Sequence, residues 1–582
     1  MENIKYVPRP EYPRPQLQRK EWLSLNGIWQ FEIDGGIDGF DCEYYKRDSL
    51  AQEITVPFCP ESELSGIGHK GFMPCVWYRR TVTLPQAWDG KQILLHFGAV
   101  DYHATVWVNG QYVGEHRGGY SSFSFDITEQ LQEGENSIVL AARDDARSGR
   151  QPAGKQSELY YSHQCSYTRT TGIWQTVWLE AVNKKYITNI KATPDAEAGT
   201  VLLEIKTSAN TIGCRATAEV SFAGRPMGGA SGTVGSFSAF LPVTLREKHL
   251  WDVGAGNLYD VTVTLYDGDT AVDEVESYFG LRSVGLKDGA FLLNGRAVFG
   301  RWVLDQGFYP DGIYTAPTDE ALKRDIELSM SFGFNGARLH EKIFEPRYLY
   351  WADKLGYLVW GEHANWYLNI SNGDGIKHFL PEWLEAIERD YSHPSIIGWC
   401  PFNETWDDGK TGTRQDNLVL ETVYHATKAA DSTRPVIDTS GNYHVVTDIY
   451  DVHDYEQNGD VYHARYAGGD IYETWPDRQQ HHGEPYFVSE YGGIKWPEDG
   501  SAGWGYGDAP RTKEEFFARY RALTEALLQS ENMLGFCYTQ LYDVEQEVNG
   551  LLTYGREYKF DPKIIYEINT QEAAIEKRVN KK

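Results

Sequence analysis

From about residue 283 onward, short apolar runs alternate with longer amphipathic stretches, and this alternation constrains the fold more than any other feature of the chain. The apolar runs are rich in Val, Ile, Leu and aromatic residues and have the length of buried strands. Eight of them span 297–303, 334–340, 357–362, 395–404, 435–440, 449–455, 485–490 and 534–540. Amphipathic stretches with acidic residues near their starts lie between most of them, and the weakest lies between the sixth and seventh runs. Eight β/α units predict a (β/α)8 TIM barrel with its active site at the carboxyl ends of the strands.

The part of the chain before the barrel has a different pattern. Between about 20 and 183, short alternating runs are separated by Gly, Asn and Asp, which indicates a β-sandwich. Two of these runs are joined by Asn109-Gly110, a strong signal for a hairpin. From about 184 to 282 the pattern repeats at smaller scale, as in an immunoglobulin-like β-sandwich. We therefore predict three domains, at 1–183, 184–282 and 283–582.

Charge and composition exclude several classes of protein. The sequence has 55 Lys and Arg against 83 Asp and Glu, and its net charge of -28 repels phosphate backbones and anionic lipids. We therefore expect no nucleic-acid partner and no membrane partner. The N-terminus lacks the apolar run of a signal peptide, and no stretch has the length of a membrane span. Seven scattered cysteines without a Cys-x-x-Cys pair fit a reducing compartment, so we predict a cytoplasmic protein.

Two glutamates end apolar strands of the predicted barrel. Glu404 follows the run SIIGWCPFN, and Glu490 follows PYFVS. The barrel brings both carboxyl groups to the same mouth, although they are far apart in the chain. One such glutamate can simply cap a helix or form a surface ion pair, but two on apolar strands favour a chemical role. Glycoside hydrolysis requires such a pair: one carboxyl protonates the leaving oxygen, and the other attacks the anomeric carbon or activates water.

Several motifs resemble those of glycoside hydrolase family 2, which includes β-galactosidases, β-glucuronidases and β-mannosidases. HPSIIGWCPFNETW resembles the Asn-Glu motif of that family, and FVSEYGG resembles the segment that carries its nucleophile. VWVNGQYVGEHRGGYSSFSFDIT and TGIWQTVWLE resemble its sugar-binding jelly roll, and HLWDVGAGNLYDVTVTL resembles the end of its sandwich domain. The resemblance spans nearly the whole chain. It implies a retaining mechanism, with Glu404 as general acid/base and Glu490 as nucleophile, and a jelly roll at 1–183.

The resemblance also implies roles for other residues at the barrel mouth. Asn403 is expected to face the 2-hydroxyl of the sugar, and Arg338 is similar to an arginine that follows the second strand in this family. The remaining substrate-binding candidates are Asp305, His340, His453, Tyr455, Trp406, Gln540 and Asn549. Glu362 is expected to support these groups rather than to catalyse. Loops of the jelly roll should pack toward the mouth and bring Asp144, Asp145 and Arg169 near it.

The two catalytic roles require different surroundings. A general acid must keep its proton near neutral pH, so we expect apolar rings beside Glu404 to raise its pKa. The candidate rings are those of Trp399, Phe402 and Trp406. A nucleophile must stay ionised, so we expect hydrogen-bond donors beside Glu490. The candidate donors are Tyr455 and Arg338.

The sugar is predicted from the loop after the eighth strand. Glucuronidases that resemble this family carry an Asn-x-Lys element there, whose lysine meets the substrate carboxylate. Here Asn549-Gly550-Leu551 occupies that place, so the lysine is missing, and Asp543, Glu545 and Glu547 make the loop acidic. We therefore predict an exo-acting enzyme that releases a terminal neutral sugar, β-galactose first, from an oligosaccharide or small glycoside. The alternatives are the same chemistry on a β-glucuronide, β-mannoside, arabinoside or galactofuranoside, and a non-catalytic carbohydrate-binding protein.

No metal or organic cofactor is predicted. Some members of the family bind a divalent cation through Glu and His after the third strand, but VWGEHANWYLN places Trp366 and Leu368 at those offsets. No glycine-rich phosphate loop or dinucleotide fingerprint follows any strand. Relatives in this family commonly form dimers or tetramers, which leaves a homo-oligomer open.

Overall fold

The computed structural model describes residues 7–405, 415–467, 471–476, 478–498, 500 and 502–581. Within this part of the chain, two antiparallel β-sandwiches precede a parallel barrel, so the predicted fold class is confirmed. All cysteines in the described ranges are free thiols. None of the described helices has the length and apolarity needed to cross a membrane.

The first domain is an antiparallel β-sandwich. Its strands are β1 (Trp22–Ser24), β2 (Gly27–Ile33), β3 (Gln52–Val56), β4 (Cys75–Thr83), β5 (Gln92–Phe97), β6 (Val100–Asp101), β7 (His103–Val108), β8 (Gln111–Arg117), β9 (Phe123–Asp126), β10 (Glu135–Arg143), β11 (Gly172–Ile173) and β12 (Val177–Val182). The two larger sheets have the orders β1-β12-β5-β9 and β3-β2-β4-β10-β7-β8. Apolar side chains on their facing sides enclose the core, because alternate residues of a strand point to opposite faces. The hairpin predicted at Asn109-Gly110 joins β7 to β8.

The second domain is a smaller sandwich with its own core. Its strands are β13 (Ile187–Asp195), β14 (Thr200–Thr207), β15 (Arg215–Phe222), β16 (Arg225–Thr233), β17 (Ser238–Thr244), β18 (Leu258–Asp267) and β19 (Thr270–Gly280). They form sheets with the orders β13-β14-β17 and β16-β15-β18-β19. The segment before β1 also reaches this domain, since Leu17 lies in its core and Gln18 pairs with Glu276.

The third domain is the barrel, and a small sheet covers one end of it. That sheet consists of β20 (Val284–Lys287), β21 (Ala290–Leu293) and β22 (Arg296–Ala297). The barrel strands are β23 (Gly300–Asp305), β24 (Gly336–Leu339), β25 (Leu358–Glu362), β26 (Ile396–Cys400), β27 (Phe402–Asn403), β28 (Thr439–Ser440), β29 (Tyr450–Asp454), β30 (Tyr486–Gly492) and β31 (Met533–Thr539). The helices are α1 (Asp319–Ser331), α2 (Pro346–Leu355), α3 (Asp374–Asp390), α4 (Asn417–Ala430), α5 (Gly459–Tyr466), α6 (Lys513–Leu528), α7 (Pro562–Asn569) and α8 (Ala574–Asn580).

Two hydrophobic layers hold the barrel together. The strands run parallel in the order β26-β25-β24-β23-β31-β30-β29, and the pair β27-β28 continues the sheet toward the fifth predicted strand. The inner layer is packed, because the ring of Trp302 lies 5.8 Å from that of Trp360 and 5.0 Å from that of Phe487, centroid to centroid. The outer layer lies between the strands and the helices. Substrate access is therefore expected at the carboxyl ends of the strands.

The fifth strand is shorter than the sequence predicts. Of 435–440, only Thr439 and Ser440 form a regular ladder, although Val436 also pairs with Trp399. Pro435 has no N–H to donate. Asp438 accepts hydrogen bonds from the backbone N–H groups of residues 439, 445 and 446. A side chain that binds the backbone in this way competes with the strand ladder.

Candidate active site

Glu404 and Glu490 lie together at the carboxyl end of the barrel. Glu490 belongs to β30, and Glu404 directly follows β27. One oxygen of each carboxyl group and a ring nitrogen of His453 all lie within 4.8 Å of one another. The two carboxyl groups are thus as close as direct attack by a carboxylate on a sugar requires.

The backbone at Glu404 has an uncommon conformation. Its φ is +47°, in the left-handed region that residues with a side chain rarely adopt. The Glu404 amide donates to the Ser440 carbonyl at 2.9 Å. The preceding residue, Asn403, exchanges two hydrogen bonds with Asn365: its N–H donates to Oδ1 at 2.6 Å, and its carbonyl accepts from Nδ2 at 2.9 Å. Strained positions persist where the surroundings fix them, and these bonds fix Glu404.

Hydrogen-bond donors surround Glu490, as expected. Arg338 Nη1 lies 3.2 Å from Oε1, and the Tyr455 hydroxyl donates to Oε2 at 2.5 Å. Arg338 is buried, and it also donates to Glu362 Oε1 at 2.5 Å and to Asn403 Oδ1 at 3.1 Å. Because the guanidinium is planar, these bonds fix the positions of its three partners relative to one another.

His453 links the two carboxyl groups. Its Nδ1 lies 2.8 Å from Glu404 Oε1 and 3.4 Å from Glu490 Oε2. Burial opposes protonation of the imidazole, but the charges of Glu490 and Glu404 outweigh it and raise the pKa of His453. Burial likewise raises the pKa of Glu404, yet the hydrogen bond and charge of His453 outweigh it and leave that pKa below its ordinary value. These opposite shifts place the proton that the two groups share mainly on His453.

The expectation that Trp399 and Phe402 surround Glu404 is wrong. Both belong to the outer hydrophobic layer. Trp399 Nε1 donates to Asp431 at 2.8 Å, and Phe402 stacks on Phe379 with 4.4 Å between ring centroids. The register between β25 and β26 shifts, because Val359 pairs with residue 396 and the next residue of β25 pairs with residue 398. This bulge changes which side chains face outward. Trp406 lies outside the described residues.

The side-chain amide nitrogen of Asn403 is available to a ligand. Its Oδ1 accepts from Arg338, whereas its Nδ2 is buried and has no hydrogen-bond partner among the described residues. A buried donor without an acceptor is costly unless a ligand supplies one. This geometry agrees with the predicted contact to a sugar hydroxyl. Asn365, which holds Asn403, was not predicted from the sequence, although an Asn shortly after the third strand could have suggested it.

His340 lies beside the nucleophile candidate. Its Nδ1 is 3.3 Å from Glu362 Oε2 and 3.8 Å from Glu490 Oε1. Burial and the positive charge of Lys155 hold the pKa of His340 well below its ordinary value, so the ring is neutral. Glu362 binds Arg338, as a supporting role requires.

Asp305, Gln540 and Asn549 are buried and bonded to protein groups. Asp305 accepts hydrogen bonds from the backbone of Gly307 at 2.9 Å, from Tyr348 at 3.1 Å and from the Tyr542 hydroxyl. Gln540 Nε2 donates to Asn549 Oδ1 at 2.9 Å, and Asn549 Nδ2 donates to Glu547 Oε1 at 2.9 Å. Direct sugar contacts by these three residues stay predictions.

Lys155, from a loop of the first domain, was not predicted as a site residue. Its side chain is buried, and its Nζ lies 3.5 Å from the centre of the Trp366 ring. No hydrogen-bond acceptor for Nζ is present in the ranges that the structure describes. Its charge helps to lower the pKa of Glu404, and those of Glu404 and Glu490 help to raise its own. The sequence gives no signal for this residue, because it lies far from every barrel strand in the chain.

The loop that carries Lys155 packs tightly on the barrel mouth. The Ala153 N–H donates to the Trp366 carbonyl at 3.1 Å, and a Cβ on Gly154 would meet the Glu341 carbonyl at 2.4 Å. The first domain therefore contributes to the mouth, as expected. The other residues predicted to lie near it bond within their own domain: Asp144 to Gln151 and Thr171, and Arg169 to the carbonyls of residues 70, 157 and 159.

The same cluster has the ligand types of a small metal site. Glu404, His453 and Glu490 each offer one atom within 4.8 Å of the others. A divalent ion bound there would occupy both carboxylates and prevent either from acting on a sugar, so the donor set fits acid and nucleophile chemistry better. The absence of a required metal stays a prediction.

Three family models match the chain in succession. The sugar binding domain of glycosyl hydrolases family 2 matches residues 67–179, a second domain of that family matches residues 185–282, and its TIM barrel domain matches residues 284–559. Among curated relatives, a putative β-glucuronidase of Formosa agariphila is 28% identical over 59% of this chain and 41% of its own length. The chain thus spans less than half of that relative.

Other relatives are covered more fully. The β-glucuronidase of Felis catus is 26% identical over 74% of this chain and 70% of its own length. The β-galactosidase of Thermoanaerobacterium thermosulfurigenes is 25% identical over 82% of this chain and 65% of its own length. The solved β-glucuronidase of Ruminococcus gnavus has a TM-score of 0.78 at 19% identity and covers 97% of this chain and 100% of its own. That last likeness shows the shared fold.

Proposed function

Because the chain belongs to glycosyl hydrolases family 2, we propose that it is a retaining exo-glycosidase that uses Glu490 as nucleophile and Glu404 as general acid/base. One observation carries the proposal: the two carboxyl groups approach within 4.8 Å of each other at the open end of the barrel. A retaining enzyme requires such a short separation, because the nucleophile attacks the anomeric carbon directly.

In the first step, Glu490 attacks the anomeric carbon and the bond to the leaving oxygen breaks. Tyr455 and Arg338 hold the attacking carboxylate in place through its two oxygens. The leaving oxygen takes a proton from Glu404. This is the proton that Glu404 shares with His453, whose Nδ1 lies 2.8 Å from Glu404 Oε1. The products are a covalent glycosyl ester on Glu490 and the free aglycone.

In the second step, water replaces Glu490 at the anomeric carbon. Glu404, now ionised, removes a proton from the water as general base. Oxygen of the water bonds to the sugar as the ester bond to Glu490 breaks. The sugar leaves with its original configuration, and the pair of Glu404 and His453 has recovered its proton.

The test is the configuration of the first-formed sugar. We expect nuclear magnetic resonance to show the β-anomer first when a β-glycoside is hydrolysed. Inverted product at the earliest times would contradict the assignment of Glu490 as nucleophile.

For the sugar itself, we propose a β-glucuronide or a related β-uronide. Most of the relatives and solved structures described above are named as β-glucuronidases. Among the described residues, the ammonium group of Lys155 beside the catalytic pair has no hydrogen-bond acceptor, which suits a substrate carboxylate. The neutral sugar expected from the sequence assumed that only the loop after the eighth strand supplies such a cation.

A β-galactoside is the second candidate. Leu551 stands where glucuronidases of this family are expected to have lysine, and one relative is named as a β-galactosidase. A panel of nitrophenyl glycosides distinguishes the two candidates. We expect a higher kcat/KM for the β-glucuronide than for the β-galactoside, and the reverse order would favour the second candidate.

A further inference from the structure

A second cleft lies on the first domain, outside the catalytic site. It encloses about 650 Å³, and four arginines line it: Arg117, Arg143, Arg147 and Arg150. The described residues include no carboxylate that forms an ion pair with any of these guanidinium groups. The hydrogen-bond partner of Arg143 Nη2 is a histidine, His103, whose Nδ1 lies 2.8 Å away. Four unpaired arginines around one cleft are unexpected in a chain with a net charge of -28.

Several buried arginines elsewhere in the described chain form ion pairs with carboxylates. Arg19 binds Glu180 and Asp273, and Arg434 binds Asp431. The arginines of the cleft form no such ion pair within the described residues, so their N–H groups are available to a ligand.

Two histidines that line the cleft lie close enough to its arginines to be affected by their charges. Burial, Arg143 and Arg117 lower the pKa of His103, although Glu115 lies 3.2 Å from its Nε2. Burial, Arg117 and Arg150 lower the pKa of His378, although Asp374 acts in the opposite direction.

Two carboxylates also line the cleft, and both accept hydrogen bonds from neighbouring groups. Asp144 accepts hydrogen bonds from Gln151 and Thr171, and Asp145 Oδ1 accepts from the backbone of Arg147. Neither pairs with a guanidinium. The guanidinium groups are therefore available to bind an anion. Their planar arrangement of N–H donors matches carboxylate and sulfate groups.

Aromatic rings line the same cleft. The guanidinium of Arg147 lies 3.9 Å from the centre of the Phe72 ring, and the ring of Tyr160 meets Phe72 edge-on at 4.8 Å. Tyr160 is 70% exposed, so its ring is available to a ligand. Exposed rings with polar edges suit ligands that have both apolar faces and polar groups, as sugar rings do.

The cleft is connected to the active site through one loop. Arg147 and Arg150 precede Lys155 in the loop that packs on the barrel mouth. The Gly149 carbonyl accepts from the Asn369 N–H at 2.9 Å, and Lys155 reaches Trp366. The same loop thus contributes residues both to the cleft and to the barrel mouth.

We propose that this cleft binds an anionic oligosaccharide, through carboxylate or sulfate groups on the part of a substrate that is remote from the bond cleaved. The carbohydrate nature of the ligand rests on the proposed function. The positive cleft itself does not.

The test uses the full chain with Glu490→Gln, which binds without turnover. Calorimetry at about 0.15 M salt measures the affinity for three tetrasaccharides: one from heparin with sulfate and carboxylate groups, one from hyaluronan with carboxylates only, and neutral cellotetraose. We expect both anionic probes, or the heparin probe alone if sulfate is required, to bind at least about tenfold more tightly than cellotetraose.

Charge reversal at the cleft should remove this binding. Adding Arg147→Glu and Arg150→Glu should weaken it by about tenfold or more. The matched control, Arg225→Glu with Arg246→Glu, changes two exposed arginines of the second domain and should bind like the parent. Equal affinity of the cleft variant and the parent, or equally tight binding of cellotetraose or of a short DNA duplex, would overturn the proposal.

Turnover separates this proposal from the proposed function. With Glu490 intact, the cleft variant should hydrolyse a small nitrophenyl glycoside within about twofold of the rate of the unaltered chain. Turnover without anion binding would contradict only the proposal that the cleft binds an anionic oligosaccharide. Anion binding without turnover by the unaltered chain would contradict the proposed hydrolysis alone.

Discussion

The Nδ1 atom of His453 lies 2.8 Å from Oε1 of Glu404, so the candidate general acid shares its proton with an imidazole. Ionisation of the two groups is coupled, because the charge of each favours the charged form of the other. The protonation that matters for catalysis therefore belongs to the pair. The raised pKa of His453 extends the pH range over which the pair retains its proton.

The first prediction concerns His453→Gln. Without the imidazolium, Glu404 alone must hold the proton, and a carboxyl group loses it at lower pH than the pair does. We expect the alkaline limb of the kcat/KM profile to move to lower pH and the rate near pH 7 to fall. The control is His463→Gln, which changes an exposed histidine on α5. An unmoved alkaline limb would show that His453 does not share the proton.

The second prediction concerns the two carboxyl groups. Glu490→Gln should abolish turnover for every leaving group, since no covalent intermediate can form. Glu404→Gln should slow hydrolysis of a poor leaving group by about 10²- to 10⁴-fold and affect the first step with nitrophenolate much less. Azide should restore part of the rate of this variant by replacing water in the second step. Equal losses for good and poor leaving groups would contradict the role of Glu404.

The sequence was sufficient to predict much of this site. The eight apolar runs correspond to barrel strands, the fifth only in part, and the motifs around Glu404 and Glu490 placed both carboxyl groups at one mouth. Strand periodicity and strand order determine these features, and both are local properties of the chain.

Other features depend on register and on contacts between domains. A bulge in β26 turns Trp399 away from the site. The ring of Trp360 fills the space over Gly398, where an added Cβ would lie 2.0 Å from that ring. Periodicity alone does not reveal such a shift. Lys155 reaches the site only because a loop of the first domain packs on the barrel, which is a tertiary contact without a local pattern.

The third prediction concerns stability and His444. Its Nδ1 lies 2.7 Å from Asp438 Oδ1, and its Nε2 lies 3.1 Å from Asp451 Oδ1. Burial opposes protonation, but the two aspartates outweigh it and raise the pKa of His444 to about 10. A raised folded-state pKa stabilises the protein fully below the unfolded value of about 6.5, and this stabilisation is lost as the pH rises through about 10.

Accordingly, His444→Gln should lower the free energy of unfolding by about 3 kcal/mol near pH 6. The difference from the unaltered protein should shrink as the pH approaches 10. Thermal unfolding of both proteins at several pH values measures this. His425→Gln, at a histidine whose side chain is 64% exposed, is the control. A difference that stays constant or grows with pH would contradict the charged state of His444.

The last prediction concerns Lys155→Met, which keeps the length of the side chain and removes its charge. A charge-assisted hydrogen bond from the ammonium to a substrate carboxylate is worth about 1.5–3 kcal/mol, so kcat/KM for a β-glucuronide should fall by about 10- to 100-fold. A β-galactoside has no carboxylate and should lose much less. Lys377→Met, at an exposed lysine of α3, should leave kcat/KM unchanged for both substrates. Lys155 also lowers the pKa of Glu404, and that effect would slow both substrates equally. Parallel losses would therefore assign Lys155 to the acid/base and contradict its role in recognising the sugar carboxylate.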